Sequence, residues 1–461
     1  MITPISVSGY WNFPNNRNQT AGTFTFDPQN KAELKLLGHL DGGNEYNVLL
    51  KEKVIHGFTA DGKEITLLDC TNNGTEMSIP GIPTISYQPG YIIIGTYIED
   101  QDQPLFNEIE VELELLTKWV DIWGFRYGHE NKEDYFKIEY HLPENIQFEI
   151  DSNVDGFFSF AGSSNRRKEE EFVNSHKTKL KIKSKQLLTI SNILEYAWHF
   201  KKFLTISTQS NTYFKKIILR SNLLNNSYNN IEHPKDIQLL YYQRELELKS
   251  TNQHSIYFLF TYLDIAHQFQ AIINNWFSKK ALLQPVVDIV YEGLSNSFSF
   301  LENDFLSNIQ ALEVFHRRCR QQTELLKQQH SLVWSAIINN LPTDQADYIN
   351  KFEYAYEPGL TQRLKDLIKE FKTSTIDKLL GTNKQTKEFI YKTVLSRNFY
   401  THYDLSLKEK ALKGAPLHYT TEKLKALLLV AILSEIGFDF TQVEKMLARV
   451  EQHKYHFLLK R

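Results

Sequence analysis

An α+β fold, with a β-rich N-terminal domain followed by an all-α C-terminal helical bundle, is what this 461-residue sequence predicts. Three observations carry that expectation. Over roughly the first 185 residues, apolar and polar side chains alternate between turns rich in Gly, Asn, Asp and Pro, the pattern of half-buried strands. From about Leu263 to the end, apolar residues recur at spacings of three and four, the pattern of amphipathic helices. Neither half contains a fixed-period repeat or a low-complexity tract. The expected division is residues 1–240, built of sandwich- or barrel-like sheets, and residues 241–461, a helical bundle.

The elements follow in order. Thr23–Phe26, Lys53–Phe58 and Ile65–Leu68 are short β-prone runs, and Asp61-Gly62 supplies the positive-φ turn between the second and third. Tyr91–Gly95 continues the pattern. In the next run, Ile109, Val111, Leu113 and Leu115 alternate with Glu108, Glu110, Glu112 and Glu114, so one face is buried and the other wet. Lys177, Lys179, Lys181, Lys183 and Lys185 alternate around Leu180 and Ile182. On a strand their ammonium groups point one way, as a lysine-protected sheet edge or as a phosphate-tracking stripe. Helical spacing begins over Gln186–Phe203. The Asn-rich stretch Ser221–Pro234 reads as a linker or surface loop. Ile265, Phe269, Ile272, Ile273 and Trp276 share one helix face, and Phe305, Ile309, Leu312, His316 and Cys319 share another. Lys384–Asp404 is expected as a helix ending before a Gly414/Pro416 break. Thr421–Ile436 is apolar enough to be the most buried helix, and Thr441 with Glu444 has the spacing of a capping box.

Composition excludes several classes. Hydrophobic residues at 41% and charged residues at 23% are ordinary for a globular protein. The longest apolar run, the eight residues Ala426–Leu433, falls short of the roughly 20 needed to span a bilayer. No secretory signal is visible, and the two cysteines, Cys70 and Cys319, exclude a disulfide scaffold and a cysteine-paired zinc site. A cytoplasmic location is expected. Net charge is −3, but residues 1–150 carry 10 basic and 23 acidic side chains while the rest carries 42 and 32. A phosphate polymer would be attracted by the second part, although basic solvated faces are also common. No P-loop, dinucleotide-binding glycine loop, H-E-x-x-H or G-x-S-x-G occurs, so no cofactor and no metal is expected.

One segment carries a chemical hypothesis: Ser396-Arg397-Asn398-Phe399-Tyr400-Thr401-His402-Tyr403. On a helix Asn398 and His402 lie about 40° apart, and Arg397 and His402 about 140° apart. The latter two can flank a groove but not grip one small ligand within a single helix. Two copies meeting at a two-fold axis could share a cleft. An imidazole can act as acid or base near neutral pH, and a guanidinium can hold phosphate oxygens as charge builds. These are the groups that metal-free RNA cleavage needs, and Asn398 could orient the imidazole or the sugar. Glu313 lies beside the Leu306/Ile309 stripe, with Arg317 one turn on. It makes either an i,i+4 ion pair or a partly buried carboxylate that reaches the Arg397–His402 helix. His316, Arg317, Arg318 and Arg320 would then rim the cleft.

These residues resemble a known family. Arg397-Asn398-x-x-x-His402 in a C-terminal bundle is similar to the R-N-x-x-x-H motif of HEPN ribonucleases, and Ala311-Leu312-Glu313 resembles the matching region of ApeA-type HEPN domains. Gly9-Tyr10-Trp11 with Pro14, Gly22–Phe26, Leu34–Gly38, Ile55-His56-Gly57, Gly62-Lys63, Thr66–Cys70, Phe106 and Trp119 resemble the ApeA N-terminal domain. The resemblance implies a bacterial anti-phage protein of the abortive-infection type, with a β-rich sensor domain and a metal-independent endoribonuclease domain. It implies Arg397, His402, Asn398 and Glu313 as catalytic residues, and RNA, with transfer RNA as the candidate, as substrate. A homodimer or higher homo-oligomer through the HEPN domain and a phage-derived trigger are the other expected partners. Arg317, Arg318, Lys179, Lys181 and Lys183 are candidate RNA contacts. Phe399 and Tyr400 are bulky within the motif and are expected to narrow the cleft. Two other readings stand beside this one. The first is a non-catalytic HEPN scaffold binding nucleic acid or protein. The second is a β-sandwich ligand-binding protein, for carbohydrate among others, suggested by 13% aromatic content.

Overall fold

A computed structural model describes residues 3–14, 16, 18–40, 54–77, 79–129, 136–168, 171–228, 231–247, 254–295, 300–320, 323–342, 356–372 and 374–450. The chain divides into two compact units. One comprises Met1–Ser255 with Thr261–Gln270, the other Ile256–Phe260 with Ala271–Arg461. The division falls later than the expected 240, because residues beyond 240 are bonded into the sheet unit. The Gln243 side chain bonds both the Phe214 amide and the Phe214 carbonyl at 2.9 Å. Glu245 pairs with Lys201 at 2.6 Å, and Tyr262 and Phe269 pack against the Trp119 ring.

Among the described residues of the first unit, fourteen strands form one antiparallel sheet. From one end, the strands run Ile146–Asp151, Val154–Lys168, Glu171–Leu188, Phe106–Leu113, Phe214–Arg220, Ile237–Leu240 and Tyr91–Ile94. They continue through Glu64–Leu68, Val54–Thr59, Ile5–Asn12, Thr20–Phe26, Glu33–Leu37, Thr84–Gln88 and Thr71–Glu76. The Asp61-Gly62 turn joins two of them, with Gly62 at φ 79°. The alternating apolar residues fill two cores. Trp11, Phe24, Leu34, Ile55, Leu67 and Ile85 form one. Trp119 centres the other, meeting Phe158, Phe200 and Phe203 edge-on at 5.8–6.3 Å. Phe200 and Phe203 come from the helix Ile190–Thr208. That helix starts four residues later than expected, because the preceding strand runs to Leu188 and the Thr189 side chain caps it by accepting from the Asn192 amide.

Two expectations are corrected here. Ser221–Pro234 contains a hairpin, Asn225–Tyr228 paired with Ile231–Pro234, and not a linker. The lysine strand is not an edge: Glu171–Leu188 lies between Val154–Lys168 and the glutamate strand Phe106–Leu113. Lys181 stands opposite Glu110 and Lys183 opposite Glu108. The acid-rich first third and the basic remainder therefore meet inside one sheet. Glu108 and Glu110 are also held from the opposite neighbour by Arg220, at 2.7 and 3.4 Å.

The second unit is helical. Gly414–Glu435 is its apolar centre, with Ala426 through Leu433 all at most 5% exposed. Leu301–Cys319 packs along it and also touches Leu360–Glu370 and Asn383–His402, which touch each other. Lys425 on the central helix reaches Asp304 at 2.8 Å. The last helix, Phe440–Val450, is capped differently from expectation. Asp439 and Gln442 bond each other reciprocally (2.9 and 3.1 Å), so the box sits two residues before Thr441/Glu444. Among the described residues no helix is long and apolar enough to cross a membrane.

Candidate active site

The helix Asn383–His402 opens with a capping box, Thr382 with Gln385, and closes at Tyr403, whose φ of 50° ends the helical path directly after His402. Leu395, Ser396, Phe399 and Tyr400 face inward and are buried. Arg397 and Asn398, on the adjoining face, are half-buried, and His402 is exposed at the helix end. Phe399 and Tyr400 thus pack into the bundle. The Tyr400 hydroxyl donates to the Leu412 carbonyl at 2.7 Å, and its ring meets Phe305 at 6.2 Å. Ser396 Oγ accepts from the Leu412 amide at 2.9 Å, fixing the chain that returns after the helix.

Glu313, half-buried on Leu301–Cys319, lies 3.6 Å from the Arg397 guanidinium. Arg397 also donates to the Asn398 side-chain oxygen at 3.3 Å. The fold thus brings three of the four expected site residues together. His402 lies beyond them, beside Asp404. The Asp404 carboxyl is held below its usual range chiefly by hydrogen bonds from Ser406, with a smaller contribution from His402. The expected Glu313–Arg317 alternative is replaced: Arg317 pairs with Glu357 at 2.8 Å.

The expected basic rim is also rearranged. His316 is buried, not on a rim, and sits between Asp366 at 3.3 Å and Arg363 at 3.1 Å. Burial and the neighbouring Arg363 lower its pKa, so the ring is neutral at pH 7. Arg318 donates to the Ala281 carbonyl at 3.0 Å. Arg320 is clamped by Glu370 and Glu435, at 2.7 and 2.9 Å, over the Phe315 ring. In the sheet unit, Lys179 pairs with Glu110 at 2.8 Å and Lys181 with Glu108 at 3.5 Å, while Lys183 is exposed.

Sequence reasoning passed over Arg363. It is 1% exposed and reaches Glu357 at 3.5 Å as well as His316. Burial and Arg317 lower its pKa, while the carboxylates of Glu313 and Glu357 oppose that shift. The signal was present in its helix. Leu360, Leu364 and Leu367 form an apolar stripe, and Arg363 occupies a position on that same stripe. An arginine at a core position needs carboxylate partners. Chemically, the arrangement offers a guanidinium aimed by one carboxylate and one amide, with an accessible imidazole one turn further along. Among the described residues no group of three or more His, Cys, Asp or Glu is placed to hold a metal ion.

Comparison with known proteins agrees with this layout. A family model described as ApeA N-terminal domain 1 matches residues 6–276. One described as Apea-like HEPN, a ribonuclease fold, matches residues 306–442, which include Glu313, Arg397, Asn398 and His402. No curated protein and no solved structure matches. With an ApeA N-terminal domain over more than half its length and an HEPN domain after it, the chain belongs to the ApeA family.

Proposed function

We propose that the protein is a metal-independent endoribonuclease of anti-phage defence that cuts RNA, with transfer RNA as the first candidate, to halt translation. The observation that carries this reading is the Glu313–Arg397 pair, with Asn398 beside it and His402 at the open end of the same helix. Arg397 holds the non-bridging phosphate oxygens while negative charge builds on them. An imidazole takes the proton of the ribose 2′-hydroxyl, and the 2′-oxygen attacks phosphorus. The P–O5′ bond breaks, and a second imidazole protonates the leaving oxygen. The products are a 2′,3′-cyclic phosphate and a 5′-hydroxyl. Since Arg397 and His402 diverge by about 140° on one helix, the second imidazole comes from a second copy of the chain. Substrate DNA is excluded because it lacks the attacking hydroxyl.

Sequencing RNA ends in cells expressing the wild type or His402→Ala tests this directly. Loss of a general acid/base costs about 10²–10⁴ in rate, so new ends should vanish in the variant. Equal cleavage by both proteins, or cutting at a 2′-deoxy position, rejects the mechanism.

A further inference from the structure

The sheet unit contains a cleft of about 820 Å³, within the range of roughly 300–1,000 Å³ common to small-molecule sites. Four lysines line it (Lys118, Lys177, Lys215 and Lys216) against two glutamates, Glu112 and Glu114. Lys177 pairs with Glu112 at 3.0 Å and Lys215 pairs with Glu114. Both glutamates are thus committed, and the lining side chains comprise four lysines against two carboxylates. Lys216 is exposed and joins no ion pair found among the described residues. His176, also on the wall, adds no charge at pH 7, because burial lowers its pKa.

Two further features narrow the ligand. Trp123 borders the cleft with 57% of its surface exposed. Its Nε1 donates to Asp121 at 3.1 Å and its ring rests on His176 at 5.5 Å, so the ring is held in place. An exposed aromatic face fixed beside lysines suits a planar base. Thr178, also on the wall and 2% exposed, has a hydroxyl with no hydrogen-bond partner. Buried polar atoms left in that state are uncommon and call for a partner.

We infer that this cleft binds a mononucleotide, its phosphates taken by the lysine wall and its base stacked on Trp123. The inference concerns the sheet unit alone and is independent of the nuclease reading. It makes the N-terminal domain a receptor for a soluble phosphate-bearing signal.

The test is calorimetric titration of the full-length protein with ATP, GTP, adenosine, inorganic pyrophosphate and a short single-stranded RNA. ATP or GTP should bind at millimolar or tighter affinity. Lys216→Ala should weaken nucleotide and pyrophosphate binding about tenfold. Trp123→Ala should weaken nucleotide binding about tenfold and leave pyrophosphate unchanged. Arg397→Ala, in the other unit, should change neither. Both cleft residues are exposed, so both variants should fold, which a thermal melt checks. Absence of nucleotide binding overturns the inference. So does binding abolished by Arg397→Ala and indifferent to Lys216→Ala and Trp123→Ala. Preference for the RNA over every mononucleotide, or equal affinity for pyrophosphate and ATP, also overturns it.

Discussion

Replacing Glu313 by Gln keeps the side chain's shape and removes its charge from Arg397. The gap is 3.6 Å, with the two side chains 26% and 32% exposed. Two unit charges at that distance attract by about 1.2 kcal/mol at the dielectric constant of water and about 4.6 kcal/mol at an effective constant near 20. The gap exceeds the ~2.8 Å of a charge-assisted hydrogen bond, and solvent reaches both groups. The net cost to stability should therefore stay below about 1 kcal/mol. The cost to catalysis should be larger, because a guanidinium displaced by about 1 Å can lose up to ~100-fold in rate. A double-mutant cycle separates the two. Single-turnover cleavage rates and melting temperatures are measured for Glu313→Gln, Arg397→Ala and the pair together. If Glu313 acts by aiming Arg397, Glu313→Gln slows cleavage about 10–100-fold and the double variant is no slower than Arg397→Ala alone. Multiplying effects would mean that the carboxylate does not act through the guanidinium, and the site as described would be wrong.

Three further outcomes follow from the packing. Gly57→Ala should destabilise the sheet unit by about 1–3 kcal/mol, since its Cβ would fall 2.2 Å from the buried Trp11 ring; an unchanged denaturant midpoint would contradict that contact. Stability should fall as pH drops below about 6.5, the ordinary histidine value. Burial and Arg363 lower the pKa of His316, and burial lowers that of His176, so the unfolded chain takes up protons first and the loss continues down towards the folded-state values. Melting temperatures that stay flat or rise between pH 7 and pH 5.5 would show that these rings are not held neutral. Lys181→Glu, placed beside Glu108 and opposite Glu110, should lower the melting temperature and leave RNA affinity unchanged; a loss of RNA binding at constant stability would return the lysine stripe to the RNA interface.

What could be read from the sequence was local. Period-two alternation over Ile109–Leu115 placed its apolar side chains in the core, where all four are buried. Gly62 supplied its left-handed turn, and the unbroken apolar run at Ala426–Leu433 made the most enclosed helix. Arg397, Asn398 and His402 could be set on one helix for the same reason, since backbone periodicity is encoded within a few neighbouring residues. Helix ends were less legible: Asp439 caps the last helix although Thr441 and Glu444 have the right spacing, because a cap depends on where the preceding chain turns.

Partners distant in sequence were decided only by the tertiary structure. Two oppositely charged alternating strands were visible, but not that they lie side by side and cancel; strand order follows from the competition of all strands for neighbours. Glu313 could pair with Arg317 or with Arg397, and helix packing settled it in favour of the more distant residue. Arg363 shows the same division. Its place on an apolar stripe is written in the sequence, whereas the carboxylates and the histidine that make its burial tolerable arrive from other elements when the bundle closes. Short-range pattern specifies which face of an element turns inward; the energy of a buried charge depends on what waits there, and that is a property of the assembled core.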